Sequence, residues 1–277
     1  MPEEVVWLGL ALLGAGVGAY GTLIGAGGGF LLTPALLLLY PDLQPEVVTA
    51  ISLSVVWVNA TSGSVAYGRQ KRVDYVAASL FAVATLPGAV AGALATSLVP
   101  RQSFEAAFGL ALLLIATWLL APHPNRIVTT MPGRYVRRTV TDAHGDTYRY
   151  GFDPLLGVGL GLGVGVFSSM FGVGGGIIYV PAMILLLRFP AQIATATSTF
   201  TLMFTAGAGA LVHLLSGHYV GVVAEELSLA VGVVIGAQIG AHVSEKLERE
   251  SQAVVSRLLS AALVLVGVRL LVGVVVG

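Results

Sequence analysis

Gly25-Ala-Gly-Gly-Gly-Phe-Leu-Leu-Thr-Pro34-Ala35 is matched by Gly172-Val-Gly-Gly-Gly-Ile-Ile-Tyr-Val-Pro181-Ala182 at an offset of 147 residues. Each copy stands inside an uncharged apolar run, Val5 to Tyr40 and Pro154 to Leu187. Both runs are too long for one membrane-spanning helix of roughly 20 residues. Three adjacent glycines do not hold a helix, because glycine loses more backbone freedom on ordering than any other residue. We therefore read each run as a helix, a break and a shorter second helix.

The match continues downstream. At offset 146, Thr49, Ala50, Ser52, Ala60 and Gly63 meet Thr195, Ala196, Ser198, Ala206 and Gly209; at offset 148, Gly88, Ala89, Gly92 and Ala93 meet Gly236, Ala237, Gly240 and Ala241. A register that drifts by one residue at loops marks a duplicated half. Six further runs, Val47 to Tyr67, Tyr75 to Val99, Phe104 to Ala121, Ile193 to Ser216, Val220 to Val243 and Val254 to Val276, are each near the length of one span. The fold read from this is an all-α integral membrane protein of two repeats, residues 1–121 and 154–277. Each repeat is a glycine-broken helical hairpin plus three transmembrane helices, and a polar linker, 122–153, joins them.

Composition agrees. The chain has 277 residues, 56% hydrophobic and only 10% charged, with 36 glycines. A mean hydropathy of +0.89 is incompatible with a water-covered surface. Lys plus Arg equals Asp plus Glu at 14 each, so no basic face exists for nucleic acid. The absence of cysteine removes disulfides, thiolate metal sites and cysteine nucleophiles. Glu3 and Glu4 precede the first run where a cleaved signal would carry a basic segment, so no such signal is expected.

Lys and Arg in short loops set orientation. They place the loop with Arg69, Lys71 and Arg72, the central segment with Arg126, Arg134, Arg137, Arg138 and Arg149, and the turn with Lys246, Arg249 and Arg257 in the cytoplasm. The links Pro41 to Glu46 and Ser216 to Tyr219 then lie outside, as do both termini, and the two halves are inverted. Inverted repeats with broken helices are the architecture of secondary transporters, whose substrate sits near the midplane. The linker Pro122 to Asp153 reads as a small β-hairpin whose arginines fix topology.

Gly16-Val-Gly18-Ala-Tyr-Gly21 fits G-x-G-x-x-G, but a dinucleotide site needs a strand and a βαβ unit that a bilayer run excludes. Gly14, Gly16, Gly18 and the alternating glycines from Gly157 to Gly165 read as close helix packing. Gly27, Gly28, Gly29 and Gly174, Gly175, Gly176 read as a substrate site. An unwound break bares backbone amides and leaves a helix N-terminus, which together attract an anion without a formal charge. After each break a polar face follows: Thr49, Ser52 and Asn59, then Thr195, Ser198 and Thr205 at the same spacing, with Thr199 beside them. Such hydroxyls either bond their own or a neighbouring helix or line a substrate path. Asn59 and Ser198 lean to the second role, and Gln238 is a further polar candidate. No Asp or Glu falls in mid-span, which argues against a proton or cation pathway. Without an H-E-x-x-H, P-loop or G-x-S-x-G pattern, no enzyme, metal or cofactor is expected.

The doubled G-x-G-G-G-x-x-x-x-P element, followed by Thr49-Ala-Ile-Ser52-Leu-Ser54 through Gly63 and by Thr195-Ala-Thr-Ser198-Thr-Phe-Thr201 through Gly209, resembles the TauE/SafE family of membrane transporters over nearly the whole chain. The resemblance implies export of a small sulfur-containing anion, sulfite or an organosulfonate such as sulfoacetate, from the bacterial cytoplasm across the inner membrane. The expected partners are that anion and the lipid bilayer. The alternatives are ion-coupled anion uptake, and a non-transporting membrane scaffold that docks through the linker hairpin.

Overall fold

The computed structural model describes residues 3–120, 135–219, 223–246 and 249–276. In the first half these form α1 (Glu3–Leu23), α2 (Gly29–Leu39), α3 (Pro45–Arg69), α4 (Tyr75–Thr96) and α5 (Arg101–Leu120). Strands β1 (Val136–Thr141) and β2 (Thr147–Phe152) follow. The second half holds α6 (Pro154–Phe171), α7 (Gly176–Leu185), α8 (Ala191–Leu215), α9 (Val223–Lys246) and α10 (Arg249–Val276). Both long apolar runs break at their glycine triplets, and six of the described helices are long and apolar enough to cross a membrane.

Local chemistry sets the helix boundaries. Asp74 caps α4 by accepting from the amides of Val76 and Ala77, and Asp153 caps α6 in the same way, with Pro154 in the first turn. Pro45 likewise opens α3. Gly172, in a left-handed conformation at φ 69°, closes α6.

Small residues decide how the helices pack. Along α1 and α9, Gly14 lies on Leu229, Gly18 on Val233, and Gly232, Gly236 and Gly240 on Ala11, Ala15 and Ala19, so that an added methyl would strike the opposing backbone. Along α4 and α6 the pattern returns, with Gly88 and Gly92 on Leu162 and Val166, and Gly165 on Thr85. Lipid tails are as apolar as leucine, so it is this close approach that gains contact energy. The expected packing role of the alternating glycines holds only at every fourth position. Gly16, Gly159 and Gly163 meet nothing within 4 Å, because residues two apart point to different faces of a helix.

The helix pairs repeat when the halves are exchanged. α1 packs on α9 as α6 packs on α4, α3 on α9 as α8 on α4, and α2 on α3 as α7 on α8; α3 and α8 pair with each other, as do α5 and α10. At one end the Asp74 amide donates to Thr197, near the start of α8. At the other, Tyr219 just beyond α8 donates to the Ala50 carbonyl, in the first half of α3. α3 and α8 therefore run in opposite directions.

The strands form the expected antiparallel hairpin, with Val136 opposite Phe152; residues 121–134, with Arg126 and Arg134, lie outside those described. The hairpin packs on the loop after α3. Arg138 forks onto Asp74, with Nη2 2.7 Å from Oδ1 and Nε 2.9 Å from Oδ2, and the Tyr150 hydroxyl donates to the same carboxylate at 2.6 Å. The Ala143 amide donates to the Gln70 carbonyl, Arg72 lies 3.6 Å from Asp142, and His144 lies 3.3 Å from Glu245 near the end of α9. The arginine-rich loop, the hairpin and the end of α9 thus share one end of the bundle. Burial by itself would raise the Asp74 carboxyl, but hydrogen bonds from Arg138, Tyr150 and the Ala77 amide, with the Arg138 charge, outweigh it and hold the group below its ordinary range.

Candidate functional site

The two breaks have the same backbone. Gly25, Gly27 and Gly28 take φ of 72°, 78° and 81°, and Gly172, Gly174 and Gly175 take 69°, 83° and 74°. Side-chain-bearing residues rarely adopt this region, which explains why glycine fills these places in both halves. Gly28 and Gly175 are the N-caps of α2 and α7, where no side chain caps the helix. The first amides of each short helix have no carbonyl one turn back, and the helix dipole adds partial positive charge there.

The breaks cross each other. A methyl on Gly29 would land on the backbone of Gly172 and Val173, and one on Gly176 on the backbone of Gly25 and Ala26. Val56 and its repeat partner Leu202 pack over this crossing: Val56 lies against Gly27 and Gly174, and Leu202 against Gly27 and Gly176. Residues 25–30 and 171–177 are all buried.

Side chains from α2, α3 and α8 hold the crossing by its carbonyl oxygens. Ser52 Oγ donates to the Gly172 carbonyl at 2.6 Å, and Thr33 Oγ1 reaches both Ser52, at 2.9 Å, and the same carbonyl, at 3.2 Å. Ser198 Oγ, the repeat partner of Ser52, donates to the Gly25 carbonyl at 3.2 Å. Asn59 Nδ2 donates to the Gly27 carbonyl at 3.0 Å while its Oδ1 accepts from Thr22 at 2.8 Å. A carbonyl oxygen repels an anion; one occupied by a donor repels it less and is fixed in direction. The side chains take the carbonyls and leave the first amides of the short helices.

Ser52, Asn59 and Ser198 thus come together with Gly27 to Gly29 and Gly174 to Gly176, as fasteners of the breaks. Thr199 Oγ1 turns to its own helix, donating to the Thr195 carbonyl at 2.9 Å. Thr205 Oγ1 bonds Thr85 across to α4 at 2.7 Å and the Thr201 carbonyl at 3.2 Å. Gln238 stands on an exposed face of α9 and donates to the carbonyl and hydroxyl of Ser62, not to either break. Sequence reasoning passed over Thr22, Thr33, Ser168 and Ser169. A hydroxyl in register before each break, Thr22 and Ser169 at offset 147, was the available signal.

A cavity of about 680 Å³ lies between α3, α4, α8 and the start of α9, with Ser54, Trp57, Leu86, Phe204, Tyr219 and Glu226 in its wall. Ser54 Oγ and the Tyr219 hydroxyl are 2.6 Å apart there. Glu226 and the hairpin contact Glu245 are separated by about 29 Å of α9 at 1.5 Å per residue. The cavity therefore belongs to the end of the bundle away from the hairpin.

Interrupted helices whose bare ends cross within an apolar bundle are a construction of membrane transporters. Over residues 10–270 the chain matches the family model described as sulfite exporter TauE/SafE, and it belongs to that family of membrane transporters. It is 32% identical over 268 residues to the "Probable membrane transporter protein YunE" of Bacillus subtilis, covering 95% of this chain and 96% of that one. A "Probable membrane transporter protein" of Methanocaldococcus jannaschii is 23% identical over 251 residues, 86% of each chain. One of Xylella fastidiosa is 28% identical over 181 residues, 64% of this chain and 62% of its own. No solved structure matches the chain.

Proposed function

We propose that the protein is a secondary transporter that exports a small sulfur-containing anion, sulfite or an organosulfonate such as sulfoacetate, from the cytoplasm by alternating access. The observation that carries this is the crossing of the breaks, where Ser52, Asn59 and Ser198 tie the carbonyls of Gly172, Gly27 and Gly25 and leave helix N-termini for an anion. Thr199, Thr205 and Gln238, bonded within the helices, belong to the moving framework in this reading.

The opposite directions of α3 and α8, and the exchange of helix pairs between halves, support an inverted repeat whose axis passes near the crossing. The backbone of one break lies against that of the other with no room for an anion between them. An anion is seated as the halves part, and rocking of one half on the other opens the crossing first toward one side and then the other. The protein is multi-pass in the bacterial inner membrane, with the hairpin end in the cytoplasm and the termini and cavity outside. A negative interior drives each anionic charge outward by ~2.3 kcal/mol per 100 mV, so export needs no coupling ion.

Proteoliposomes loaded with sulfite or sulfoacetate test this. Efflux that grows with inside-negative voltage is expected; efflux indifferent to voltage, or driven only by an imposed Na⁺ or H⁺ gradient, contradicts it.

A further inference from the structure

The two breaks share a backbone but not a set of side chains. Ser168 and Ser169 on α6 occupy the places that Gly21 and Thr22 occupy on α1. In the N-terminal half the side chains at these places and at Asn59 are spent, while the Thr49 hydroxyl, on backbone that lies against Gly172 of the other break, has no partner. Gly21 carries no side chain, and a methyl there would fall on the Gly28 amide. Thr22 donates to Asn59, and Asn59 to the Gly27 carbonyl.

In the C-terminal half the same capacity is unspent. The repeat partner of Asn59 is Thr205, which turns away to Thr85 and Thr201 and makes no bond to Ser169. Ser168 and Ser169 are both 0% exposed, and neither hydroxyl has a hydrogen-bond partner. Buried hydroxyls are seldom left so, because an unmade bond in the interior is costly. Ser168 Oγ lies 3.3 Å from the point where a Cβ on Gly175 would stand, against the N-cap of the 10-residue helix α7.

Ser169 lies toward the cavity. The Cβ point of Gly209 is 2.8 Å from Ser169 Oγ and equally close to Leu53 Cδ1, and the residues that follow, Ser54 and Ala210, line the cavity.

We infer that the anion is held by the C-terminal break alone, by the hydroxyls of Ser168 and Ser169 with the first amides of α7, while the N-terminal break is a fixed counterpart. The inference rests on the transport reading above. The ligand chemistry is a small oxyanion with at least two acceptor oxygens: hydroxyls and amides donate to it, and hydrogen bonds to a charged acceptor are the strong ones.

The test is binding of sulfite and of methanesulfonate to the full chain in nanodiscs, with thermal melting followed alongside, for wild type, S168A, S169A and T22A. S168G, which installs the residue the other half already carries, is a second variant at that position. S168A and S169A are expected to melt no lower than wild type without anion, S168G slightly lower because glycine weakens the helix, and all three to bind sulfite roughly 10- to 100-fold more weakly. T22A is expected to melt lower and to bind normally. Wild-type affinity in the Ser168 and Ser169 variants overturns the inference, as does lower melting of S168A or S169A without anion, which would show that the hydroxyls have protein partners. Wild type that binds neither anion contradicts the transport reading itself.

Discussion

Ser52 donates to the carbonyl of Gly172 across 2.6 Å, joining a helix of the first half to the break of the second, 120 positions along the chain. Its repeat partner Ser198 donates to Gly25 at 3.2 Å. Each half thus holds the other half's break. S52A is expected to destabilise the protein by about 1–3 kcal/mol, and S198A by less because its bond is longer. Thr33 still reaches Gly172 in S52A, which limits the loss. Thermal melting of the two variants side by side checks the order.

Asn59 is a relay, accepting from Thr22 and donating to Gly27. N59A leaves a buried hydroxyl and a buried carbonyl without partners, costing about 1–3 kcal/mol. N59D is expected to be worse, since its carboxylate presents oxygen to the Gly27 carbonyl in a buried place. Folded yield and anion flux are expected to fall in the order wild type, N59A, N59D.

The glycines divide by what surrounds them. G28A and G175A force a side chain into φ of 81° and 74°, costing roughly 1–3 kcal/mol of strain before any clash with Val17 or Val164. G16A meets open space inside a helix and is expected to be neutral or stabilising by about 0.5–1 kcal/mol. Melting temperatures of the three variants separate backbone demand from mere abundance of glycine.

Arg138 and Tyr150 hold Asp74 ionised at the start of α4. R138A leaves a buried carboxylate without its cation and is expected to cost on the order of 3 kcal/mol. Because the folded carboxyl is held below its ordinary value of 3.8, the stability it contributes is complete above that value and disappears as pH falls through the lower folded value. Melting followed from pH 6 downward is expected to fall in the acid range for wild type and to fall less for D74N.

The positions of the breaks were legible because glycine triplets leave the backbone no other choice. The hairpin was legible from its alternating strands and the Gly145 turn. The partners were not. That Ser52 faces Gly172, or Arg138 faces Asp74, depends on how the halves cross, and no local pattern carries that. Gln238 read as a site residue because its run is apolar, yet a run's polarity does not say which face a residue takes. Trp57 and Glu226 line a cavity assembled from four segments, so neither stands out in its own.

The central claim, that an oxyanion sits where the breaks cross, is tested most directly by density for sulfite in the experimental structure of the wild-type chain in nanodiscs. The expected result is density within hydrogen-bond reach of the first amides of α7, at Gly175 and Gly176. Density confined to the cavity beside Trp57 and Glu226, or none at saturating sulfite, would contradict the account.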